Sequence, residues 1–329
     1  MGEYVSSTGS LGLSERPDNR LYNNVPHYVT DPVEVRHGLN QMVQNAGQSG
    51  GRISRVVLRA VAGDEAAAAL IAGQPTDLEV ALPLHELGRR GWLLVFGHNH
   101  QTRQPLPGSA AALTEAATWR SGKSPQEHVA TAAQAGATHS TTISPGDYSQ
   151  LEELWRPTFG WSDTDIANFA ERLAYEHTRP AAERTVWFSA LWTGNVLVSA
   201  AMAEALNLPG LRLIESTEWR ARPGYEGGGR TTANLALLNA QICSGIDRSG
   251  ELPLIFAECN LGGAYRAGAG AGFGVPSQEA APQRHIQNVT VDNGLCDFVF
   301  MRLSRTTIND TYSPEACRQL LTTIPERNQ

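Results

Sequence analysis

The chain has 329 residues, of which 41% are hydrophobic and 18% charged, and its formal net charge is −7. That supplies a substantial core and length enough for two domains, while the overall acidity is ill-suited to holding long nucleic acid. No uninterrupted apolar run approaches the roughly 20 residues of a membrane span. The N-terminal MGEYVSSTGSLGLSERPDNR lacks the basic-then-apolar plan of a signal peptide, so a cytoplasmic protein without a membrane partner is the expectation.

Residues 1–50 are rich in Ser, Asn, Gln and Gly and read as an irregular leader ending in QNAGQSGG. Residues 51–130 read as an α/β domain. RISRVVLRAVAG and GWLLVFGHNH are its strongest strand candidates, and DEAAAALIAG is a short helix between them. The block shares with the second half only a rhythm of strands and helices.

Two motifs in this block bear on function. GHNH, Gly97 to His100, is similar to the G-H-x-H ending of metallophosphoesterases, but the aspartate and Asn-His motifs that such a metal site needs upstream do not occur. The two histidines are therefore expected in a polar loop, with no metal. ATWRSGKS, Ala117 to Ser124, meets the loosest form of a nucleotide-binding P-loop. Such a loop must follow a buried strand, whereas AAALTEAAT before it favours a helix.

Residues 131–310 read as a second domain, and 311–329 as a tail with a short helix, SPEACRQLLTTI. THSTTI suggests a strand. Ser144-Pro145 opens a helix that carries Tyr148, Leu151, Leu154 and Trp155 on one face and ends at Pro157 and Gly160. Ser162 with its acidic successors opens a second helix striped by Ile166, Phe169, Ala170 and Leu173. TVWFSALWTG and NVLVSAAMAEAL form a hairpin, and IQNVTVDNG and LCDFVFMRLS a closing antiparallel pair. Cys243, Cys259, Cys296 and Cys317 have no C-x-x-C spacing and read as reduced, structural residues.

Leu211 to Cys243 reads as strand, glycine-rich turn, helix. Gly227, Gly228 and Gly229 let backbone amides approach a ligand, and a helix starting near Thr231 adds free N–H groups and a positive dipole end. Arg220, Arg222 and Arg230 stand close by in sequence. The segment that follows, PLIFAECNLGGAYRAGAGAGFGVP, is a strand ending at Asn260, a small-residue helix, and Gly272-Phe273.

This succession resembles the GCN5-related N-acetyltransferase (GNAT) superfamily, in which strand four leads to a Q/R-x-x-G-x-G/A pyrophosphate loop and strand five to N-x-x-A followed by G-F. Asn260, Ala264 and Gly272-Phe273 match with one extra residue after the Asn, and Gly229 fits the loop, while Glu226 and Thr231 depart from it. The resemblance covers about the last 190 residues. It implies an α/β (α+β) fold with a mixed twisted sheet flanked by helices, and it leaves the first block either a degenerate GNAT-like half or an unrelated cap.

What the resemblance implies chemically is acyl transfer from acyl-CoA, acetyl-CoA by default, to the amine of a small molecule. Gly227, Gly228, Gly229, Arg230 and Thr231, with Arg220 and Arg222, would hold the pyrophosphate, and strand backbone near Glu218 and Trp219 the pantetheine arm. A strand amide would serve as oxyanion donor. Glu218 and Glu215 are the candidate bases for an ammonium of pKa near 10, and regular alternation lets only one face the acceptor. Gly268 stands where the family often places a tyrosine acid, with Tyr265 one turn earlier; Asn260 is expected to pin its turn or touch the pantetheine. Trp155, Phe159, Trp161, Trp187 and Trp192 divide between core and acceptor pocket. Two other functions use the same elements: an aminoacyl-tRNA-dependent amide-forming transferase, in which an acceptor stem is the nucleic-acid partner, and a CoA-binding module without catalysis.

Overall fold

The computed structural model describes residues 13–15, 20–23, 27–73, 77–84, 91–99, 106–208, 211–225, 229–246, 253–276, 286–291 and 294–327. The chain forms two compact units. The first is Met1–Leu113 with Pro276–Thr290 and Gly294–Phe300, and the second is Thr114–Val275 with Val291–Asn293 and Met301–Gln329. These limits replace 51–130 and 131–310 as the domain bounds. Buried Asp297 supplies one reason: its carboxylate accepts from the Leu106 amide at 3.0 Å and from the Ser109 hydroxyl, which ties its segment to the first unit.

In the first unit, β1 (Leu13–Glu15), β2 (Arg20–Asn23), β3 (His27–Tyr28), β4 (Arg55–Ala62), β5 (Leu78–Pro83) and β6 (Trp92–Asn99) form a sheet of order β1-β2-β4-β6-β5, with β3 also on β4. Helices α1 (Pro32–Gly47) and α2 (Asp64–Gly73) cover one face, packing Val35, Leu39, Met42 and Leu70 on Val56, Leu58 and Ala60. Helix α1 corrects the irregular leader. Asp31 caps it through the Val33 amide at 2.8 Å with proline at its first position, and its polar composition hid a stripe of buried Val35, Leu39, Met42 and Ala46. On the other face of β4 lie buried Arg55 and Arg59. Arg55 contacts both carboxylate oxygens of Glu79 at 2.6 Å, and Gly97 makes room, since a Cβ there would overlap both partners. His98 Nδ1 lies 3.1 Å from Asp77 Oδ1, and His100 lies outside the described residues. Among the described residues no His, Cys, Asp or Glu cluster is placed to hold a metal.

Helices α3 (Ser109–Thr118) and α4 (Pro125–Gln134) precede the second sheet. A helix, not a strand, therefore leads into SGKS, and Ser124 caps α4 in a capping box with Glu127. β7 (Ala137–Ser140), α5 (Tyr148–Phe159), α6 (Asp163–His177), β8 (Val186–Thr193), β9 (Val196–Leu208), β10 (Leu211–Ala221), α7 (Arg230–Gly245), β11 (Leu254–Asn260), α8 (Ala264–Gly270), β12 (Phe273–Gly274), β13 (Ile286–Val291) and β14 (Gly294–Leu303) follow. The sheet order is β12-β14-β11-β10-β9-β8-β7, with β13 on β14. Strand, two helices, hairpin, strand, helix, strand, helix is the order the GNAT resemblance implies. Pro157 stays within the last turn of α5, and Gly160 ends it at φ 74°. The tail is not a separate segment: α9 (Arg305–Thr311) and α10 (Pro314–Thr323) belong to the second unit, and Tyr312 between them bonds buried Asn239 of α7.

One correspondence escaped the sequence. Around the first sheet β2, α1, β4, α2 and the pair β5, β6 have strand order β2-β4-β6-β5; around the second, β10, α7, β11, α8, β12 and β14 have strand order β10-β11-β14-β12. Topology is held by the apolar pattern of each element, which many residues satisfy, so the repeat leaves no shared motif. Gly97→Ala is expected to lower the unfolding free energy by about 1–3 kcal/mol, the usual cost of overpacking, read from the chemical-denaturation midpoint.

Candidate functional site

β10 is straddled by two different ladders. Along β9 it pairs in antiparallel fashion from Leu211 to Ala221, whereas with β11 it pairs in parallel only over Leu213–Glu215 against Leu254–Phe256. Past Glu215 the two parallel strands fork. Within the fork the β9 register slips, because Thr217 opposes Met202 and Arg220 opposes Ala200. Glu218 and Trp219 thus share the single partner Ala201, a β-bulge, and Glu218 takes φ 49°, the one positive φ among the described residues other than glycine. A left-handed conformation at a non-glycine residue costs on the order of 1–2 kcal/mol. Such strain persists where surrounding structure enforces it, and it clusters at functional sites.

The bulge corrects the expected alternation of the two glutamates. Glu215, Thr217 and Arg220 oppose Glu204, Met202 and Ala200, and Met202 packs in the core beneath α5 and α6, so these residues share that face. Glu218 joins them. Its carboxylate accepts from the Thr217 hydroxyl and from Trp161 Nε1 at 3.4 Å, in the turn between α5 and α6. Arg220 donates to Thr158 Oγ1, and Arg222 to the Leu197 carbonyl at 3.1 Å and to Glu153 at 3.2 Å. Both arginines thus make contacts toward α5.

The aromatic set separates cleanly. Trp155 is fully buried, its ring 5.0 Å from Trp161 and edge-on to Phe169 and Phe188. Trp192 is equally buried, donating to Ser140 Oγ at 2.9 Å beneath the Arg327 guanidinium. Trp187 opposes Ala203 on the other sheet face, under Arg212. These three are core residues, a correction to their placement in a pocket. Phe159 and Trp161 are partly buried at the edge of that core, and Trp161 stays beside Glu218.

At the far end of β10, Gly229 caps α7 at φ 68°, and Arg230 stacks on Tyr225. Glu226, Gly227 and Gly228 lie outside the described residues. A glycine cap contributes no side chain to the first helical amides, among them those of Arg230 and Thr231, so this end suits an anion. His128 of α4 was not foreseen. A Cβ on Gly229 would lie 2.5 Å from its Nδ1, while its Nε2 is 3.0 Å from Ser121 Oγ; burial, then nearby Lys123, push the imidazole below its ordinary range. No local pattern marks such a residue, because only the packing of α4 on α7 brings it there.

Beyond the fork, Asn260 Oδ1 accepts from the Ala264 amide at 3.2 Å and pins the turn into α8. Tyr265 is buried near Glu115, which Arg266 holds at 2.7 Å; burial first and Glu115 second raise the phenol above its usual range. Gly268 packs against Trp219, with a Cβ there 3.0 Å from Cη2 of the indole.

No family model matches the chain, and no curated protein matches it in sequence. Among solved structures, it is similar to a GNAT-family acetyltransferase from Desulfovibrio desulfuricans (15% identity, 51% of this chain, 98% of that one, TM-score 0.36) and to an N-acetyltransferase from Staphylococcus aureus (11%, 51% and 98%, 0.39). An acetyltransferase from Salmonella typhimurium with its cofactor acetyl-CoA is 18% identical, over 51% of this chain and 93% of that one, at TM-score 0.35. The GNAT-like fold of the second unit rests on strand order, fork and bulge. Glu218→Gly is expected to be more stable than Glu218→Ala by about 1 kcal/mol, because both remove the carboxylate and only glycine accepts a left-handed backbone freely. Equal thermal midpoints for the two variants would mean that position 218 is not left-handed.

Proposed function

We propose that the second unit moves an acyl group, acetyl by default, from acyl-CoA to the amine of a small molecule. The observation that carries this is the bulge at Glu218 and Trp219 inside the fork of β10 and β11. A fork leaves the β10 edge open to the amides of a pantetheine arm, and a bulge frees backbone N–H groups from the ladder, one of which can meet a developing oxyanion. The α7 amides after Gly229 suit the pyrophosphate.

The acceptor arrives as an ammonium, and Glu218 takes one of its protons. Its nitrogen then attacks the thioester carbonyl carbon, the C–S bond breaks with its electron pair on sulfur, and a second nitrogen proton passes through water to the thiolate. Water is assigned that transfer because Gly268 carries no acid and Tyr265 is buried one turn earlier on α8. Trp161 stands beside Glu218 and offers a cationic acceptor an aromatic face.

Acetyl-CoA is expected to raise the thermal midpoint of the protein, by an amount equivalent to about 2.7 kcal/mol at one hundred times its Kd. A midpoint raised by tRNA and not by acetyl-CoA would favour an aminoacyl-tRNA-dependent transferase; one raised by acetyl-CoA with no turnover of any primary amine would favour a CoA-binding module. With an accepted amine, Glu218→Gln should lower kcat/KM by about 10²–10⁴-fold, and the loss should shrink at high pH, where solvent deprotonates the ammonium. Acetyl-CoA binding by that variant should be unchanged.

We further infer that the first unit is a degenerate half of the same fold without a cofactor cleft. Its parallel strands do not fork: β3 resumes pairing with β4 at His27 to Ala60, and the Asn23 carboxamide bridges the gap, donating to the Arg59 carbonyl at 2.8 Å and accepting from its amide at 2.7 Å. Asp31, an anion, caps α1 where Gly229 caps α7. Calorimetric titration with CoA should therefore give one site per chain, and two would overturn this assignment.

A further inference from the structure

The indole of Trp219 crosses the fork. It stacks on Phe273 of β12, ring centroids 6.3 Å apart and planes 23° apart, on the side of the sheet opposite the Glu218 carboxylate. The point occupied by a Cβ built on Gly268 of α8 lies 3.0 Å from Trp219 Cη2 and 3.5 Å from both Cys259 Sγ of β11 and Met301 Sδ of β14. Four elements thus converge around the tip of one ring. Cys259, Phe273 and Met301 are buried, and Trp219 is partly exposed. The surround is apolar, and burial, followed by the charge of Glu258, pushes the Cys259 thiol up, which keeps it an uncharged wall.

From this geometry we propose that Trp219 is a specificity-determining residue, closing the acyl end of the cleft so that only a short acyl chain fits beside the bulge. The proposal rests on the acyl-CoA assignment of the same site. A thioester carbonyl bonded at the bulge brings its acyl carbons next to the residue that shares the bulge with Glu218. Each added methylene then competes for volume with the indole, which Phe273 and Gly268 hold in place. Gly268 is as much a part of the device as Trp219, because any larger residue there would press on the ring.

The test is binding of CoA, acetyl-CoA, butyryl-CoA and hexanoyl-CoA to the full chain by isothermal titration calorimetry. For the wild-type protein the Kd is expected to rise at least tenfold from acetyl-CoA to hexanoyl-CoA. Trp219→Ala should abolish that discrimination with CoA itself bound as before, and Trp219→Phe should fall between them. A chain-length profile identical in wild type and both variants, with CoA binding intact, overturns the role of Trp219 alone; loss of CoA binding by the wild type removes the acyl-CoA assignment beneath it. If Trp219→Ala does not fold, Gly268→Ala supplies the opposite perturbation: a steeper profile supports the proposal, and an unchanged one sinks it.

Discussion

Because the β9 ladder must seat both Glu218 and Trp219 opposite Ala201, one of them leaves the extended region, and the placement of both side chains follows from that misfit. The extra residue sends the two side chains to opposite faces of the sheet. One carries a carboxylate to the aromatic edge of α5 and α6, and the other carries an indole across the fork to α8. Without the bulge, Glu218 would fall on the face that Ser216 and Ile214 share with α7, and no acid or base would stand beside Trp161. The backbone strain at one residue is of order 1–2 kcal/mol, a small fraction of a domain's stability, and antiparallel pairing from Leu211 to Thr217 before the bulge and of Arg220 and Ala221 after it can hold it.

The two sheets differ in whether a parallel strand pair parts or stays joined. In the second, β10 and β11 part after three paired residues, and a glycine cap leaves the first helical amides without a capping side chain. In the first, the equivalent strands stay joined through β3 and the Asn23 carboxamide, which satisfies the backbone donor and acceptor of Arg59 as a neighbouring strand would. Its helix is capped by a carboxylate that repels phosphate. Buried Arg55 and Glu79 then answer each other rather than a ligand. A buried pair of this kind is weak evidence for stability and constrains which residues can surround it, as Gly97 illustrates.

Electrostatics around the fork are also divided. The cations nearest to Glu218 in sequence, Arg220 and Arg222, tie the strand end to Thr158, Leu197 and Glu153. What remains at the α7 end is backbone amide, Arg230 and an imidazole that burial keeps from charging readily.

The sequence by itself determined the elements. Apolar periodicity marked the strands Arg55–Ala62, Trp92–Asn99 and Leu254–Asn260, and the capping residue Ser162 marked the start of α6, because those signals are local and act through a few neighbouring residues. Gly229 and Asn260 were legible for the same reason: a helix cap and a turn are made within four residues. Tertiary structure alone decided the rest. A bulge is a mismatch between two strands and leaves no trace in either, so Glu215 and Glu218 could not be assigned faces, nor Trp219 a partner. Burial likewise separated Trp155, Trp187 and Trp192 from Trp161, since an aromatic residue looks the same in a core and at its edge until the surrounding elements close around it.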